Sequence, residues 1–272
     1  MGTVYLGRMR GGGDGAADGS ARAVAIKVIH PHLAQDPEIV AMFLDEARVT
    51  TRMDHPNIID VCDVDMVGDE LVIVMAYVEG IALSRLLRAA RNRTETLPIS
   101  VALRILHDSL LGLHAAHELT DEHGERMEIV HRDVSPHNLL VGTDGVTRVT
   151  DFGVATSAGR LASTRPDGSM KGKLQYLAPE QVYRRPLDRK VDIFSAGIVF
   201  WEALTGRRLF SGGTEAETLA MVLRDPIAPP SAFRPEVSSA IDEVCLRALE
   251  RDPTRRFSTA AEFAAALEDA GA

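Results

Sequence analysis

The stretch HRDVSPHN, residues 131–138, decides how the rest of the chain is read. It sets Asp133 five residues before Asn138, and a second aspartate, Asp151, follows in the tripeptide DFG at 151–153. One carboxylate able to take a hydroxyl proton, with two further oxygen donors suited to a hard divalent cation, is a division of labour rather than a run of charge.

Working outward, DFG lies at the end of TRVTD, a segment with strand character, and NLLVG just before it has the same character. Downstream come APE at 178–180 and RDPTRRF at 251–257. Upstream, Lys27 sits in VAIK on an expected strand, and Glu46 sits on the expected helix that follows. A strand lysine facing a helix glutamate forms an ion pair that leaves the lysine aimed at phosphate oxygens. Alone, one Lys and one Glu are ordinary surface charges. The ordered set is what carries specificity: at roughly one in twenty per specified residue, HRD, Asn138, DFG and APE in this order do not arise by chance.

The bulk numbers bound the class. A chain of 272 residues with 45% hydrophobic content can bury a substantial core in one large domain or two joined lobes. A net charge of −9 excludes a dominant nucleic-acid or anionic-membrane surface, while leaving room for a local basic groove. The two cysteines, Cys62 and Cys245, are far apart and form no CxxC, so neither a disulfide framework nor a cysteine zinc site is expected, and a reducing cytoplasm fits. The longest apolar runs, ELVIVMAYV (70–78) and IFSAGIVFW (193–201), fall well short of the roughly 20 residues a membrane helix needs, so no span is expected within this segment. There is no basic-then-apolar leader, no internal repeat and no GxxxxGK[ST] motif.

The first third reads as strands. TVYLGRM (3–9) and RAVAIKVI (22–29) flank a glycine-rich connector, and residues 55–78 read as two strands turning at Gly68-Asp69. Between them, 36–53 has helical spacing through Ile39, Met42, Phe43 and Val49, with Asp36 and Pro37 as its start signal. After residue 79 the chain turns helical, with helices expected over 99–119, 188–206, 237–250 and 258–269. A ligand cleft is expected where the two regions meet.

With these residues in place, the sequence resembles the eukaryotic-type protein kinases, in particular their bacterial Ser/Thr branch, over nearly its whole length. The resemblance implies an α+β, bilobal fold: a small antiparallel-sheet lobe with one helix, about 1–78, and a larger, mainly helical lobe, about 79–272. It implies transfer of the ATP γ-phosphate to Ser or Thr hydroxyls of protein substrates, with Mg²⁺, and no nucleic-acid partner. By the family pattern Lys27 holds the α- and β-phosphates with Glu46 fixing it, Asp133 orients the acceptor hydroxyl and takes its proton, and Asn138 and Asp151 hold the metal. Val4, Ala25 and Leu140 match positions that sandwich adenine. Met75 matches the residue at the back of that pocket, and the backbone of Ala76 and Val78 the adenine edge. Glu180 and Arg256 match a buried ion pair, and Asp192 a helix residue anchoring the catalytic loop.

The chain opens on MGTVYLG, in which Gly2, Val4 and Tyr5 match the end of the family's glycine-rich loop. The expectation is therefore a natural chain starting further upstream, with one more strand and two more glycines over the phosphates.

Two positions depart from the family pattern. Where the family places Lys two residues after the catalytic Asp, the chain has Ser135; where it places Thr ahead of APE, the chain has Lys173. One expectation is an exchange in which Lys173 restores the missing cation near Asp133; the other leaves Lys173 a solvated loop residue. An uncompensated Ser135 slows transfer without abolishing it, since one preorganised stabiliser contributes about 10²–10³ in rate. The competing expectation is a pseudokinase, keeping the fold for binding alone. Ser135 also loosens the case for Ser/Thr over Tyr, although LQYLAPE resembles the Ser/Thr kind. Arg132 is expected to bind a phosphate carried by Ser157, Ser163, Thr164 or Ser169. His114 and His117, three apart on a helix, are expected to pack or to meet solvent rather than ligate metal. Residues 120–128 are expected to form a solvated turn.

Overall fold

The computed structural model describes residues 2–9, 22–29, 50–68, 70–152 and 174–271. Four strands open the molecule: β1 (Gly2–Met9), β2 (Arg22–Ile29), β3 (Val61–Val67) and β4 (Glu70–Ala76). They form one antiparallel sheet in the order β1-β2-β4-β3, with Gly68 at φ +63° opening the tight β3–β4 turn. The β-branched and apolar residues of VAIKV and LVIVM give both central strands their pleated, half-buried character. The register sets Val4 opposite Lys27 and Lys27 opposite Ile73, with Leu6 opposite Ala25 and Ala25 opposite Met75. Directly opposed residues share a face. Val4, Ala25, Lys27, Ile73 and Met75 therefore line one side of the sheet. β1 is paired on one side only among the described residues, and its Val4, Tyr5 and Leu6 are exposed.

The rest of the chain is mostly helical: α1 (Leu83–Asn92), α2 (Ile99–His117), a short α3 (Pro179–Val182), α4 (Lys190–Thr205), α5 (Glu215–Arg224), α6 (Ser239–Ala248) and α7 (Ala260–Gly271). A small sheet of β5 (Gly80–Ala82), β6 (Leu139–Gly142) and β7 (Thr147–Val149) lies at its edge. α4 is apolar on every side and buried from Val191 through Thr205, the mark of a helix at the centre of a bundle. α2 and α6 pack against it and α7 packs against those two, and Leu106, Leu110, Leu113, Phe194, Phe200 and Phe263 fill the core of this lobe. The fold is thus α+β and bilobal, an antiparallel sheet lobe beside a larger helical lobe.

The expected helices at 99–119, 188–206, 237–250 and 258–269 all exist, but the set was incomplete: α1 and α5 were not anticipated. α5 carried a readable start signal, because Thr214 accepts from the Glu217 N–H at 3.1 Å while Glu217 accepts from the Thr214 N–H at 3.2 Å, a capping box. α1 had none: its N-cap is Ala82, with no capping side chain. The strand expected to run through residue 78 ends at Ala76. The helix expected over 36–53 lies outside the described residues apart from its last few.

Residues 55–60 stitch the sheet lobe to the helical lobe. The Ile59 N–H donates to the Val149 carbonyl at 3.0 Å, the Val149 N–H to the Asn57 carbonyl at 2.8 Å, and the Asn57 amide to the Thr147 carbonyl at 3.0 Å. Gly112 on α2 lets this segment close in: a Cβ there would stand 2.5 Å from the Asn57 carbonyl oxygen. Gly112→Ala is expected to cost about 1–3 kcal/mol as an overpacked site. A urea denaturation curve checks it, and an unchanged midpoint refutes the contact.

Candidate active site

The loop 131–138 is held from below by α4. Asp192, in the first turn of that helix and fully buried, accepts the backbone N–H of Arg132 on one oxygen at 2.7 Å. Its other oxygen accepts the N–H of His131 and the His117 Nε2–H, each at 2.8 Å. Burial pushes the Asp192 carboxyl up, but His117 and the amide donors outweigh that and hold it below the usual carboxylate value. The sign follows directly. A depressed folded-state value gives stability that is full above the unfolded value, about 3.9 for Asp, and is lost as pH falls below it. The stability gap between the native protein and Asp192→Asn is therefore expected to narrow as pH drops from about 6 towards 3. Parallel curves of thermal midpoint against pH would contradict this.

His117 was expected only to pack or to meet solvent, and the structure gives it more. It is a buried donor to Asp192, so α2 joins α4 in fixing the loop. Its partner histidine, His114, makes no such bond, and burial lowers its pKa. Among the described residues no group of three or more His, Cys, Asp or Glu could hold a metal by itself.

Arg132 takes the left-handed φ of +63° and Asp151 one of +60°, conformations that cost a non-glycine residue roughly 1–3 kcal/mol each and persist only where the surroundings impose them. The impositions are visible. The Arg132 carbonyl accepts from the Gln181 amide at 3.0 Å, and Gln181 also accepts from the Ala178 N–H at 2.9 Å, tying the APE segment to the loop. The Arg132 Nε is buried with no partner among the described residues. On the other side, the His131 Nε2–H donates to the Thr150 carbonyl at 3.0 Å, and the Thr150 N–H donates to the Asn138 carbonyl at 3.0 Å. The His131 ring lies 4.8 Å from the buried Phe152 ring. Strand β7 thus delivers Asp151 next to the loop.

Asp133 and Asn138 are in direct contact. The Asn138 amide nitrogen donates to the Asp133 carbonyl at 2.8 Å and to the Asp133 carboxylate at 3.1 Å. Lys27, buried on β2, forms an ion pair with Asp151 of the other lobe, 124 residues away in sequence. Ala25, Val78 and Leu140 pack against the buried cluster of Ile59, Val61, Ile73 and Met75, where the sheet lobe meets β6. The Ala76 N–H donates to the Asp60 carbonyl at 2.8 Å, and Val78 lies in the three-residue link 77–79 to β5. Val4 stays exposed on β1, and Gly2 stands opposite Ile29. Ser135 is buried, its carbonyl accepting the Asn138 N–H at 3.0 Å. Glu46, Lys173 and the four candidate phosphate acceptors lie outside the described residues. Residues 120–128 form an exposed turn closed by the Asp121 carboxylate, which accepts from His123 and Glu125.

Below the site, Glu180 and Arg256 form a two-point ion pair at 2.6 and 2.9 Å. The same guanidinium donates to the carbonyls of Glu250, Lys190 and Arg251, so all five of its N–H groups are used, and it lies 4.7 Å from the Phe194 ring centre.

Comparison with known proteins agrees with this geometry. Residues 13–267 match the family model described as protein kinase domain. The tyrosine-protein kinase MasK of Myxococcus xanthus is 39% identical over 98% of this chain, which spans 41% of that protein. The serine/threonine-protein kinases PrkC of Bacillus subtilis and PknB of Mycobacterium leprae are 33% and 32% identical over 92% and 90% of the chain, which spans 36% and 38% of them. Among solved structures, the Mycobacterium tuberculosis PknI kinase domain superposes with a TM-score of 0.72 at 27% identity, covering 99% of this chain and 91% of that one. The chain belongs to the protein kinase family. It spans about two fifths of the length of these curated relatives. No helix among the described residues is long and apolar enough to cross a membrane.

Proposed function

We propose that the chain transfers the γ-phosphate of ATP to Ser and Thr hydroxyls of protein substrates, in the cytoplasm. The observation that carries this reading is the Lys27–Asp151 ion pair, which joins a sheet-lobe cation to a helical-lobe carboxylate beside the Asp133–Asn138 contact. In the reaction the acceptor oxygen bonds to the γ-phosphorus, the bond from that phosphorus to the β–γ bridging oxygen breaks, ADP leaves, and the hydroxyl proton passes to Asp133.

The donor chemistry fits a magnesium ion. The Asn138 amide nitrogen is committed to Asp133, which leaves its Oδ1 as an outward acceptor, and Asp151 keeps a carboxylate oxygen beyond the one facing Lys27. Bound there, the ion would supply neutralisation of phosphate charge. Lys27 adds a buried cation for the phosphates, and the apolar cluster around Met75 with Ala25, Val78 and Leu140 offers the nucleobase a dry surface. Glu46 is assigned the role of fixing Lys27, Arg132 that of binding an anion on the 154–177 segment, and Lys173 that of restoring charge beside Asp133. Val4, Gly2 and the Ala76 backbone complete the nucleotide contacts.

Two of the three curated relatives above carry serine/threonine in their names and one carries tyrosine, so the acceptor is the part to test first. Incubation with γ-labelled ATP and a generic protein, followed by acid hydrolysis, is expected to yield phosphoserine and phosphothreonine. Label confined to phosphotyrosine would overturn the acceptor class. Bound ATP with no label at all would favour the second reading, a binding module, to which the buried, uncharged Ser135 lends its weight.

A further inference from the structure

A cleft of about 290 Å³ opens beside the catalytic loop, lined by Ser84, Arg85, Arg88 and Arg91 of α1, His137 of the loop, and Arg208 beyond α4. Four arginines thus converge from two separate segments of a chain whose net charge is −9. Their spacing of three sets Arg85, Arg88 and Arg91 on neighbouring turns of one helix face.

That placement is unfavourable for the helix itself. Arg85 lies in the first turn of α1, which holds no acidic residue, against the helix dipole, and like charges three apart repel. Neither Arg85, Arg88 nor Arg91 forms an ion pair with a carboxylate among the described residues, whereas Arg208 pairs with Glu202 at 3.4 Å and also donates to the Tyr176 hydroxyl. A solvated helix face would not need a histidine from the catalytic loop and an arginine from beyond α4 to complete it. A concave wall of cations focuses positive potential, and an anion is its natural occupant.

The cleft adjoins the catalytic loop through His137. The Ser84 N–H donates to the Pro136 carbonyl at 2.8 Å, and His137 directly precedes Asn138, which holds Asp133. His137 is four residues from Asp133, at most about 14 Å along a fully extended chain. An extended peptide with its hydroxyl at Asp133 would reach His137, in the wall of the cleft, within about four residues.

We propose that this cleft binds an anionic stretch of the protein substrate, Asp, Glu or a phosphorylated residue a few positions from the acceptor, and so selects acidic target sequences. The inference rests on the kinase reading above for its consequence, though not for the binding itself.

The test uses the whole chain and four fluorescent twelve-residue peptides around one Ser, with flanks of Glu, phosphoserine, Gln or Lys. By anisotropy, the Glu or the phosphoserine peptide is expected to bind at least about tenfold tighter than the Gln peptide, the worth of one charge-assisted hydrogen bond. The preference should shrink as salt rises. The doubly substituted Arg85→Ala/Arg88→Ala chain should lose most of it, with thermal melting showing that it folds; both positions are exposed on α1 and Ala favours a helix. Preference for Glu marks carboxylate as the source of the anion, and preference for phosphoserine alone marks phosphate; either supports the cleft. Glu and phosphoserine peptides that both bind no tighter than the Gln peptide, a preference that survives the double substitution, or single-stranded DNA outcompeting every peptide would overturn it. Transfer rates on the same peptides separate the two claims: selective binding without transfer sinks the kinase reading alone, and transfer without selectivity sinks the cleft alone.

Discussion

Asp133→Asn is expected to lower the rate of γ-phosphate transfer by about 10²–10⁴-fold, the usual contribution of a positioned general base. The substitution keeps the shape of the side chain and removes only its ability to take a proton. The Asn138 amide would still donate to the residue 133 carbonyl, now 2.8 Å away, and can donate to the new amide oxygen in place of the carboxylate contact at 3.1 Å. Asp192 would still hold the loop through the N–H groups of His131 and Arg132. Melting temperature and ATP affinity should therefore stay near the native values while turnover falls. Steady-state kinetics with a nucleotide-binding titration check both halves. A variant that transfers phosphate at the native rate would remove Asp133 from the chemistry.

Arg256→Ala is expected to lower the unfolding free energy by about 3–5 kcal/mol, the cost of removing one partner of a buried ion pair. For a chain of this size that corresponds to roughly 5–9 °C in melting temperature. The magnitude follows from what is left behind: a buried Glu180 carboxylate without its two donors, three carbonyls that each lose a guanidinium donor, and a void beside the Phe194 ring. Lys is no substitute, since an ammonium has three donors where five are used here. Activity should fall further than stability alone explains, because Gln181 next to Glu180 holds the Arg132 carbonyl. A double change of Glu180→Leu with Arg256→Met should melt above the single Arg256 variant, as an apolar pair avoids the unpaired charge. Calorimetry of the three proteins decides the matter; a loss under about 1 kcal/mol would show the pair to be effectively solvated.

Much of the fold and the site could be read in the sequence, and particular residues show why. HRD, DFG and APE stand out because each is a short run of adjacent residues in a fixed order, and the uniformly apolar 193–201 run announces a central helix without help from its surroundings. What stayed hidden depends on distant partners. Nothing near His117 shows that its ring meets Asp192, 75 residues later, and nothing near Gln181 shows that it holds the Arg132 carbonyl. α1 was missed because arginines interrupt its short apolar stripe of Leu83, Leu86 and Leu87, and those same arginines line the cleft. α5 was missed although the Thr214–Glu217 spacing was there to be read.

Two of the attachments between the lobes, besides the Lys27–Asp151 and Arg52–Glu122 ion pairs, constrain how they move. One is the short covalent link 77–79, and the other is the hydrogen-bonded seam from Asn57 and Ile59 to β7. A body fastened at two points swings about the line through them, like a door on a pair of pins. If the chain works as proposed, nucleotide entry and ADP escape would proceed by a rocking of β1 and β2 over that axis, which would carry Lys27 towards and away from Asp151.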